Sequence, residues 1–264
     1  MAEIERINQY WSKRAEEFSA VRLQMLAGPS RPVWEAFLKE NFPRREGKLR
    51  ALDTGTGAGF YAFMLAELGC EVTAIDYSDD MIAQAKLLAQ QLHYPPVNFL
   101  QMDAQHLEFP DESFDFIFSN NVTWTVPAPE KVYAEWYRLL SPGGVVVNLD
   151  ANYGYVFKVA DESGWTEKMN KKYEEEGQTG IGQRPDMVRE RNDITRELSI
   201  TKECRPQWDL DQMYRLGFSS VYAEANITAR IFPDMFRNMP APGGFPQADK
   251  NAPDTRVFMV KGVK

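Results

Sequence analysis

The feature of the sequence that most constrains the fold is a loop with three closely spaced glycines, Gly55, Gly57 and Gly59. A strand pattern at residues 50–53 leads into the loop, and an apolar helix pattern at residues 60–68 follows it. Glycine lets a backbone turn tightly and lets a ligand approach it closely, and the first turn of a helix offers N–H groups without partners. The segment therefore predicts a nucleotide-type binding site at the carboxyl end of the first strand of a sheet.

Strand and helix patterns alternate after this loop, with short connections between them. The predicted strands lie at residues 50–53, 71–76, 97–101, 114–119, 145–150, 220–225 and 256–261. The predicted helices between them lie at residues 60–68, 79–91, 129–139 and 209–216. Because repeated strand–helix–strand units with short loops form parallel sheets, we expect an α/β fold, doubly wound, with a mostly parallel seven-stranded sheet and helices on both faces. A tight turn is expected at residues 141–144, where Pro142 is followed by two glycines.

These patterns divide the chain into four parts. Residues 1–45 are predicted to form an N-terminal helical cap, or lid, and residues 46–153 the Rossmann-like core that holds the ligand. Residues 154–205 are highly charged and interrupt the alternation, which indicates a partly helical insertion that serves as a substrate lid. Residues 206–264 supply the C-terminal part of the core, with a helix, the last two strands and an exposed loop at 240–253 that is rich in proline and glycine.

The spacing of the glycine loop separates two classes of nucleotide ligand. A dinucleotide-binding loop needs its third glycine three residues after the second, and here that position is Phe60. Asp53 also stands just before the first glycine, where a carboxylate repels a pyrophosphate and attracts an ammonium group. The residues therefore disfavour NAD and favour a cationic ligand such as the methionine part of S-adenosylmethionine (SAM).

Residues 52–59 resemble motif I of the class I SAM-dependent methyltransferases, and the similarity to this family runs from about Leu49 to Val147. The resemblance implies a Rossmann-like fold, a small-molecule methyl acceptor, SAM as the cofactor and S-adenosylhomocysteine (SAH) as the product. It places these motif I residues against the cofactor: Asp53, Gly55, Thr56 and Gly57. It also implies that Asp76, after the second strand, accepts hydrogen bonds from both ribose hydroxyls, as a carboxylate can. The structural alternative for Asp76 is a favourable charge at a helix N-terminus.

The same resemblance assigns the adenine and methionine ends of the cofactor. It puts Tyr77 and Met81 on either side of the adenine, with Asp103 and the backbone of Ala104 at its amino group. The backbone at Asn120 is expected to meet the methionine ammonium, although many relatives carry a basic residue at this position. The structural alternatives are a turn-stabilising role for Asp103 and a surface position for Tyr77.

Methyl transfer is an in-line displacement in which the enzyme mainly aligns the reacting atoms, and a base is needed only for a protonated acceptor. We expect the acceptor pocket above the carboxyl ends of the fourth and fifth strands, under the N-terminal helices and the insertion. The candidate catalytic residues are Asp150, Asn121 and Tyr10. The candidate pocket-lining residues are Trp11, Phe18, Trp124, Asn152 and Tyr153.

Several of these assignments have a structural alternative. Asp150 is the first choice for an acceptor-side base, and a helix cap or a loop anchor is its alternative. Core packing is the alternative for Tyr10 and Trp11. These residues begin a segment that resembles the N-terminal lid helix of many small-molecule methyltransferases, in which Arg14 would pair with the SAM carboxylate. The alternative for Arg14 is a surface position on an amphipathic helix.

Composition and short motifs exclude several other classes. The formal net charge of −8 makes nucleic acid a poor substrate, and the position after the fourth strand lacks the Asn/Asp-Pro-Pro-aromatic tetrapeptide of nucleic-acid amino-methyltransferases. Cys70, Cys204 and the two histidines follow no metal-ligand spacing, so no metal is expected. The N-terminus lacks a secretory signal and no apolar run reaches membrane-spanning length. We therefore expect a cytoplasmic protein without a membrane partner, with a homodimer as its candidate assembly.

Three other functions stay open at this point. An NAD-dependent oxidoreductase is disfavoured by the glycine spacing. An enzyme that uses SAM for other chemistry is not separated from a methyltransferase by any motif. The same holds for a non-catalytic SAM sensor, although the large insertion favours an enzyme with a substrate lid.

Overall fold

The structure is a computed structural model, and it describes residues 3–28, 30–177, 185–231 and 256–264. Its centre is a sheet whose strands are β1 Arg50–Thr54, β2 Glu71–Asp76, β3 Val97–Gln101, β4 Phe114–Asn120, β5 Leu140–Ala151, β6 Ser220–Glu224 and β7 Val257–Val263. The strand order is β3-β2-β1-β4-β5-β7-β6. Neighbouring strands from β3 to β5 are parallel, while β7 is antiparallel to both β5 and β6. The prediction of a doubly wound, mostly parallel sheet of seven strands is confirmed.

Helices flank this sheet and precede it in the chain. They are α1 Glu3–Ala27, α2 Arg31–Asn41, α3 Phe60–Glu67, α4 Asp79–Gln91, α5 Pro129–Leu139, α6 Tyr153–Glu162, α7 Trp165–Glu176, α8 Pro185–Glu197, α9 Gln207–Leu216 and the short α10 Thr228–Ile231. Glycine–proline and proline signals mark the start of α2, and Ser78 caps α4 by accepting the N–H of Met81. Local sequence signals thus determine where these helices begin.

The sheet has an apolar core on each face. Phe116 and Phe118 of β4 belong to one core, together with the fully buried Trp34 of α2 and Phe63 of α3. Successive residues of a strand point to opposite faces, so Ile117 belongs to the other core, with α5 and α9. Burial on both faces explains why β4 has a nearly continuous apolar sequence.

The carboxyl ends of the central strands meet at one edge of the sheet. Thr54 of β1 lies opposite Ile75 of β2 and Ser119 of β4. The chain connects β1 to β2 on one side, whereas β4 pairs with β1 on the other. A crevice at such a topological switch point is where open α/β sheets bind ligands.

The structure differs from the prediction at residues 141–144. The expected tight turn is instead part of β5, which has a register shift against β4. Backbone bonds hold the segment, because the Gly143 N–H donates to the carbonyl of Lys264 and the Lys264 N–H donates to the carbonyl of Gly144. These partners are far apart in the sequence, so the local proline–glycine pattern could not reveal them.

Helices α6, α7 and α8, with the 3₁₀ turn Ser199–Lys202, occupy most of the predicted insertion. Two ion pairs join α8 to α1, Arg6 to Glu197 at 2.8 Å and Lys13 to Glu190 at 3.3 Å. These ion pairs therefore connect the N-terminal helix α1 to helix α8 of the insertion.

The predicted loop at residues 240–253 lies outside the described residues. Among the residues that the structure describes, every helix is too short or too polar to span a lipid bilayer. In the same ranges, His, Cys, Asp and Glu side chains form no group of three or more that could hold a metal ion.

Candidate functional site

The glycine loop turns tightly over the ends of β1 and β2. Gly55 and Gly57 have φ angles of +66° and +53°, a region that residues with a Cβ disfavour. A Cβ at Gly55 would lie 2.3 Å from a methyl carbon of Val122, and one at Gly57 would lie 3.0 Å from the ring of Phe18. Both positions therefore need glycine, for the backbone conformation and for the close approach of their neighbours.

Gly55→Ala is expected to lower the free energy of unfolding by about 2–5 kcal/mol, measured by urea denaturation. The loss combines a left-handed backbone cost of about 1–2 kcal/mol with an overlap against Val122 of about 1–3 kcal/mol. Gly69→Ala is the matched control, since Gly69 has a φ of +89° and no neighbouring atom within 4 Å of its Cβ position. Equal losses in the two variants would show that the contact with Val122 is unimportant.

Asp76, at the end of β2, is built into the same loop. One carboxylate oxygen accepts the N–H of Gly57 at 2.8 Å, and the other accepts the N–H of Ser78 at 3.0 Å. Burial raises the pKa of Asp76, and these N–H groups oppose the shift. Each oxygen has a second lone pair, so the carboxylate can accept two further hydrogen bonds from a ligand.

Asp53 is buried at the end of β1, beside the loop. The Thr56 hydroxyl donates to its carboxylate at 2.6 Å. Burial raises the pKa of Asp53 to about 7, the Thr56 hydroxyl and Arg22 oppose the shift, and Asp76 adds to it. Asp53 and Asp76 therefore bind the glycine loop from the ends of two neighbouring strands, β1 and β2.

The residues predicted to surround adenine lie further along this edge. Met81 is buried in the first turn of α4, Tyr77 is half-buried, and Ala104 is buried after β3. Asp103 accepts the backbone N–H of Gln105 at 2.9 Å and its side-chain amide at 3.0 Å. These bonds are the turn-stabilising alternative for Asp103, and its other oxygen has one longer contact of 3.3 Å. The structure thus brings the predicted residues to one edge and leaves capacity on Asp103 for a ligand.

Two asparagines follow one another where β4 ends. The Asn120 amide donates to the hydroxyl of Tyr61 at 2.9 Å. Asn121 has a φ of +59°, which is uncommon for a residue with a Cβ, and its N–H donates to the carbonyl of Leu149 at 2.8 Å. The chain therefore turns sharply at Asn121, on the side where an acceptor was predicted.

Four predicted pocket residues form one aromatic cluster, which we call the aromatic box: Trp11, Phe18, Trp124 and Tyr153. The ring of Trp11 lies edge-on to Phe18 and Trp124, with centroid distances of 6.0 and 6.4 Å. Trp124 packs against Tyr153 at 4.3 Å, and the Tyr153 hydroxyl is 3.5 Å from the side-chain oxygen of Asn121. Helix α1 therefore carries two of the predicted residues to the side of the crevice where the acceptor was predicted.

Asp150, the predicted acceptor-side base, lies instead in a buried polar network. Its carboxylate accepts the Thr123 hydroxyl at 2.6 Å and the Trp124 N–H at 3.1 Å, and pairs with Arg205 at 2.9 Å. Burial raises the pKa of Asp150, and Arg205 opposes the shift. Because a base must reach the acceptor's proton and this fully buried group is surrounded by protein donors, the structure favours the loop-anchor alternative for Asp150.

Arg205 is the centre of that network and was missed by the sequence interpretation. Its Nε donates to Asp209 at 2.9 Å, and the Tyr133 hydroxyl donates to the same carboxylate at 2.6 Å. Burial works against the charged guanidinium, but Asp150 and Asp209 outweigh it and raise the pKa of Arg205. The four-residue spacing of Arg205 and Asp209 was the available sequence signal. No local signal connected them to Asp150.

Two other predicted residues make structural contacts. Tyr10 packs in an apolar cluster with Ile194 of α8, and its hydroxyl accepts a hydrogen bond from Arg14 at 3.2 Å. Asn152 caps α6 by accepting the N–H of Tyr155 at 3.1 Å. These contacts favour core packing for Tyr10 over a catalytic role, and capping for Asn152 over pocket lining.

Two arginines of α1, Arg14 and Arg22, lie near the crevice, whereas the sequence predicted a cofactor contact for Arg14 alone. The guanidinium of Arg14 lies 5.7 Å from the ring centre of Trp11, in the aromatic box. The guanidinium of Arg22 lies 4.6 Å from the ring centre of Phe18 and lowers the pKa of Asp53. Arg22 is therefore at the loop, a position that the sequence interpretation did not recognise.

Comparison with known proteins agrees with this geometry. Residues 52–148 match the protein family described as "Methyltransferase domain". The chain is 39% identical over 99 residues to phosphatidylethanolamine N-methyltransferase of Cereibacter sphaeroides, covering 37% of this chain and 48% of that protein. It is 29% identical over 151 residues to a ubiquinone/menaquinone biosynthesis C-methyltransferase of Methylobacterium nodulans, covering 56% of this chain and 60% of that protein. The matches thus span less than two thirds of either relative.

A solved structure shows the same architecture over most of the chain. Phosphoethanolamine N-methyltransferase 2 of Haemonchus contortus, in complex with phosphomonomethylethanolamine and S-adenosylhomocysteine, aligns with a TM-score of 0.55 and 21% identity. The alignment covers 87% of this chain and 51% of that one. At this identity the likeness shows the fold alone.

Proposed function

We propose that this protein transfers a methyl group from SAM to a small-molecule acceptor, because residues 52–148 match the family described as "Methyltransferase domain". One observation carries the proposal: Asp53 and Asp76 flank a tightly turned glycine loop at the carboxyl ends of β1 and β2. Asp76 suits ribose hydroxyls, which SAM and NAD share, whereas Asp53 repels a diphosphate and suits an ammonium group. The geometry therefore favours SAM over NAD.

The crevice fits the nucleoside part of SAM. Asp76 has unused lone pairs on both oxygens for the two ribose hydroxyls. Met81 and Tyr77 offer apolar surfaces for the adenine ring, and Asp103 offers an acceptor for its amino group, next to the backbone of Ala104. These roles follow the order in which the residues lie along the edge of the sheet.

The methionine part fits the other side of the loop. Asp53 and the backbone at Asn120 are proposed to bind its ammonium group. We propose that Arg22, and not Arg14, binds its carboxylate. The charge of Arg22 opposes the rise in the pKa of Asp53, and its guanidinium lies over the ring of Phe18, which lies next to Gly57. This arrangement gives each charge of the amino acid an opposite charge.

SAM supplies a methyl group that the positive charge of its sulfonium has already activated. The tasks left to the protein are to align the acceptor and to exclude water. The glycine loop and Asp76 hold the donor in place, and the aromatic box covers the acceptor side. Asp150 is buried in an ion pair with Arg205, so we do not propose it as a base. An acceptor that arrives as an anion or as a free base needs no catalytic base.

The nature of the acceptor atom does not follow from the fold. The two relatives are named for N-methylation and C-methylation. A small-molecule acceptor is supported by those relatives, and the net charge of −8 argues against nucleic acid. A cytoplasmic location and a homodimer stay predictions.

Thermal unfolding with SAM, SAH and NAD tests the cofactor, and methyl-labelled SAM with a metabolite extract tests the reaction. A ligand at a hundredfold its Kd adds about 2.7 kcal/mol of stability, and we expect this from SAM and SAH only. Label is expected in a small molecule. Stabilisation by NAD alone would overturn the proposal, and SAH binding without any label transfer would favour a SAM sensor.

SAH binding at about pH 6.5 is expected to release protons from Asp53, up to about 0.8 per site, because a group with a pKa of about 7 is about three-quarters protonated at that pH. The pKa of Asp53 is about 7 without ligand, so the group is largely protonated at that pH, and a bound ammonium favours its ionised form. Calorimetry in buffers of different ionisation enthalpy measures the release. Asp53→Asn should abolish it, and a release that persists in this variant would place the proton elsewhere.

A further inference from the structure

Two buried donors under the lid have no hydrogen-bond acceptor among the described residues: Nε of Arg14 and Nε1 of Trp124. Each of these residues is only 6% exposed. Native proteins rarely leave a buried N–H unpaired, because its desolvation is not compensated. Since both atoms are donors, the partner that they lack is a hydrogen-bond acceptor.

Both donors belong to the surroundings of the aromatic box. The guanidinium carbon of Arg14 lies 5.7 Å from the ring centre of Trp11, which in turn lies edge-on to Trp124. Arg14 donates to the Tyr10 hydroxyl, and its ion pair with Glu17 is long, 3.8 Å, with a Glu17 side chain that is 45% exposed. The buried guanidinium thus has only a distant, solvent-screened counterion in that pair.

A second cation, Arg191 of α8, interacts electrostatically with Tyr10, Tyr153 and Arg14. Its guanidinium donates to the side-chain oxygen of Asn192 at 3.1 and 2.8 Å. Burial lowers the pKa of Arg191, Tyr10 and Tyr153 oppose the shift, and the guanidinium of Arg14 adds to it. Tyr10, which accepts a hydrogen bond from Arg14, packs in one apolar cluster with Ile194 of α8. Helices α1 and α8 therefore lie against each other, and the positive charges of Arg14 and Arg191 repel each other there.

We propose that Arg14, Arg191 and the indole N–H of Trp124 form a binding site for an anionic group of the methyl acceptor, a carboxylate or a phosphate. This inference rests on the proposed function and names its substrate class: a small molecule with an anionic group and an apolar body that packs against the rings of the aromatic box. An anion between the two guanidiniums removes their repulsion and satisfies the unpaired donors. The chain as a whole carries a net charge of −8. The positive charge of this site is therefore a local feature of an acidic protein.

The carboxylate of the cofactor is a second anion that enters this crevice. Arg22 lies beside the glycine loop and acts on Asp53, whereas Arg14 lies against Trp11 in the aromatic box. The cofactor carboxylate is therefore assigned to Arg22. Comparing the affinities of SAH and 5′-methylthioadenosine, which lacks the amino-acid part, measures where that carboxylate binds.

The test is calorimetric titration of the full chain, saturated with SAH, with benzoate, phenyl phosphate and the neutral benzamide. At least one of the two anions is expected to bind at least about tenfold more tightly than benzamide, because charge-assisted hydrogen bonds to a buried cation favour it. Arg14→Gln and Arg191→Gln are each expected to weaken the anion at least about tenfold. Trp124→Phe keeps an aromatic side chain and removes the donor, so it should weaken the anion about threefold or more relative to benzamide.

Arg189→Gln is the matched control, since it removes an exposed arginine from the same helix and should leave binding unchanged. Anions that do not bind, that bind no better than benzamide, or that bind Arg191→Gln as well as the wild type overturn the proposal. The wild type is expected to bind SAH more tightly than 5′-methylthioadenosine. If Arg14→Gln and Arg191→Gln lose this preference while Arg22→Gln keeps it, the two arginines bind the cofactor carboxylate and the proposal is overturned. Failure of SAH to bind the wild type would refute the proposed function itself, which makes the two failures distinguishable.

Discussion

Asp76→Ala is expected to weaken SAH binding by about a hundredfold to ten-thousandfold. The carboxylate is proposed to accept both ribose hydroxyls, and each charge-assisted hydrogen bond contributes about 1.5–3 kcal/mol, which together corresponds to this range. The same carboxylate holds the N–H of Gly57, so its removal also loosens the loop that receives the ligand. Isothermal titration calorimetry with SAH measures the effect.

Asp80→Asn is the control for Asp76→Ala, because it removes an exposed carboxylate from the first turn of α4. Its SAH affinity should stay within about twofold of the wild type, since an exposed charge at this distance is screened. Ligand-free Asp76→Ala should remain folded and lose about 1–3 kcal/mol of stability, because two N–H groups lose their acceptor. An SAH affinity close to that of the wild type would refute the cofactor assignment.

Arg205→Met is expected to lower the free energy of unfolding by about 3–5 kcal/mol, measured by urea denaturation. Removing one partner of a buried ion pair leaves an uncompensated buried charge, and here both Asp150 and Asp209 lose their cation. Methionine has a similar length to the arginine stem, so the loss reports mainly the charges and not a cavity.

The deficit of Arg205→Met should be smaller at about pH 5 than at about pH 8. Without the cation, burial holds the pKa of Asp150 above the unfolded-chain value of about 3.9. A carboxyl whose folded pKa is raised contributes stability at low pH that is lost as the pH rises through that pKa. The variant therefore regains stability, relative to the wild type, as the pH falls.

Arg196→Gln is the control for Arg205→Met, since its ion pair with Asp161 at 2.9 Å is exposed. Such pairs contribute about 0–1 kcal/mol, so only a small loss is expected. A deficit of less than about 1 kcal/mol for Arg205→Met, unchanged between the two pH values, would mean that Arg205 does not neutralise Asp150. The interpretation of Asp150 as an acceptor-side base would then be restored.

Local sequence patterns predicted the α/β class and the edge of the sheet at which we propose that the cofactor binds. Gly55 and Gly57 lie in a strand–loop–helix unit that is formed by neighbours in the sequence, so its spacing can be interpreted locally. Asp76 and Asp103 each follow a strand, and the carboxyl ends of parallel strands converge at one edge. The pattern of strands therefore suffices to group residues that are distant along the chain.

Which charged groups form ion pairs could be seen only in the three-dimensional structure. Asp150 has the sequence position of a base, but it pairs with Arg205, 55 residues later in the chain. The choice between Arg14 and Arg22 at the cofactor depends on how α1 is rotated against the glycine loop. Contacts between elements carry no local sequence pattern, and in a buried, low-dielectric environment the nearest opposite charge decides whether a carboxylate is free to react.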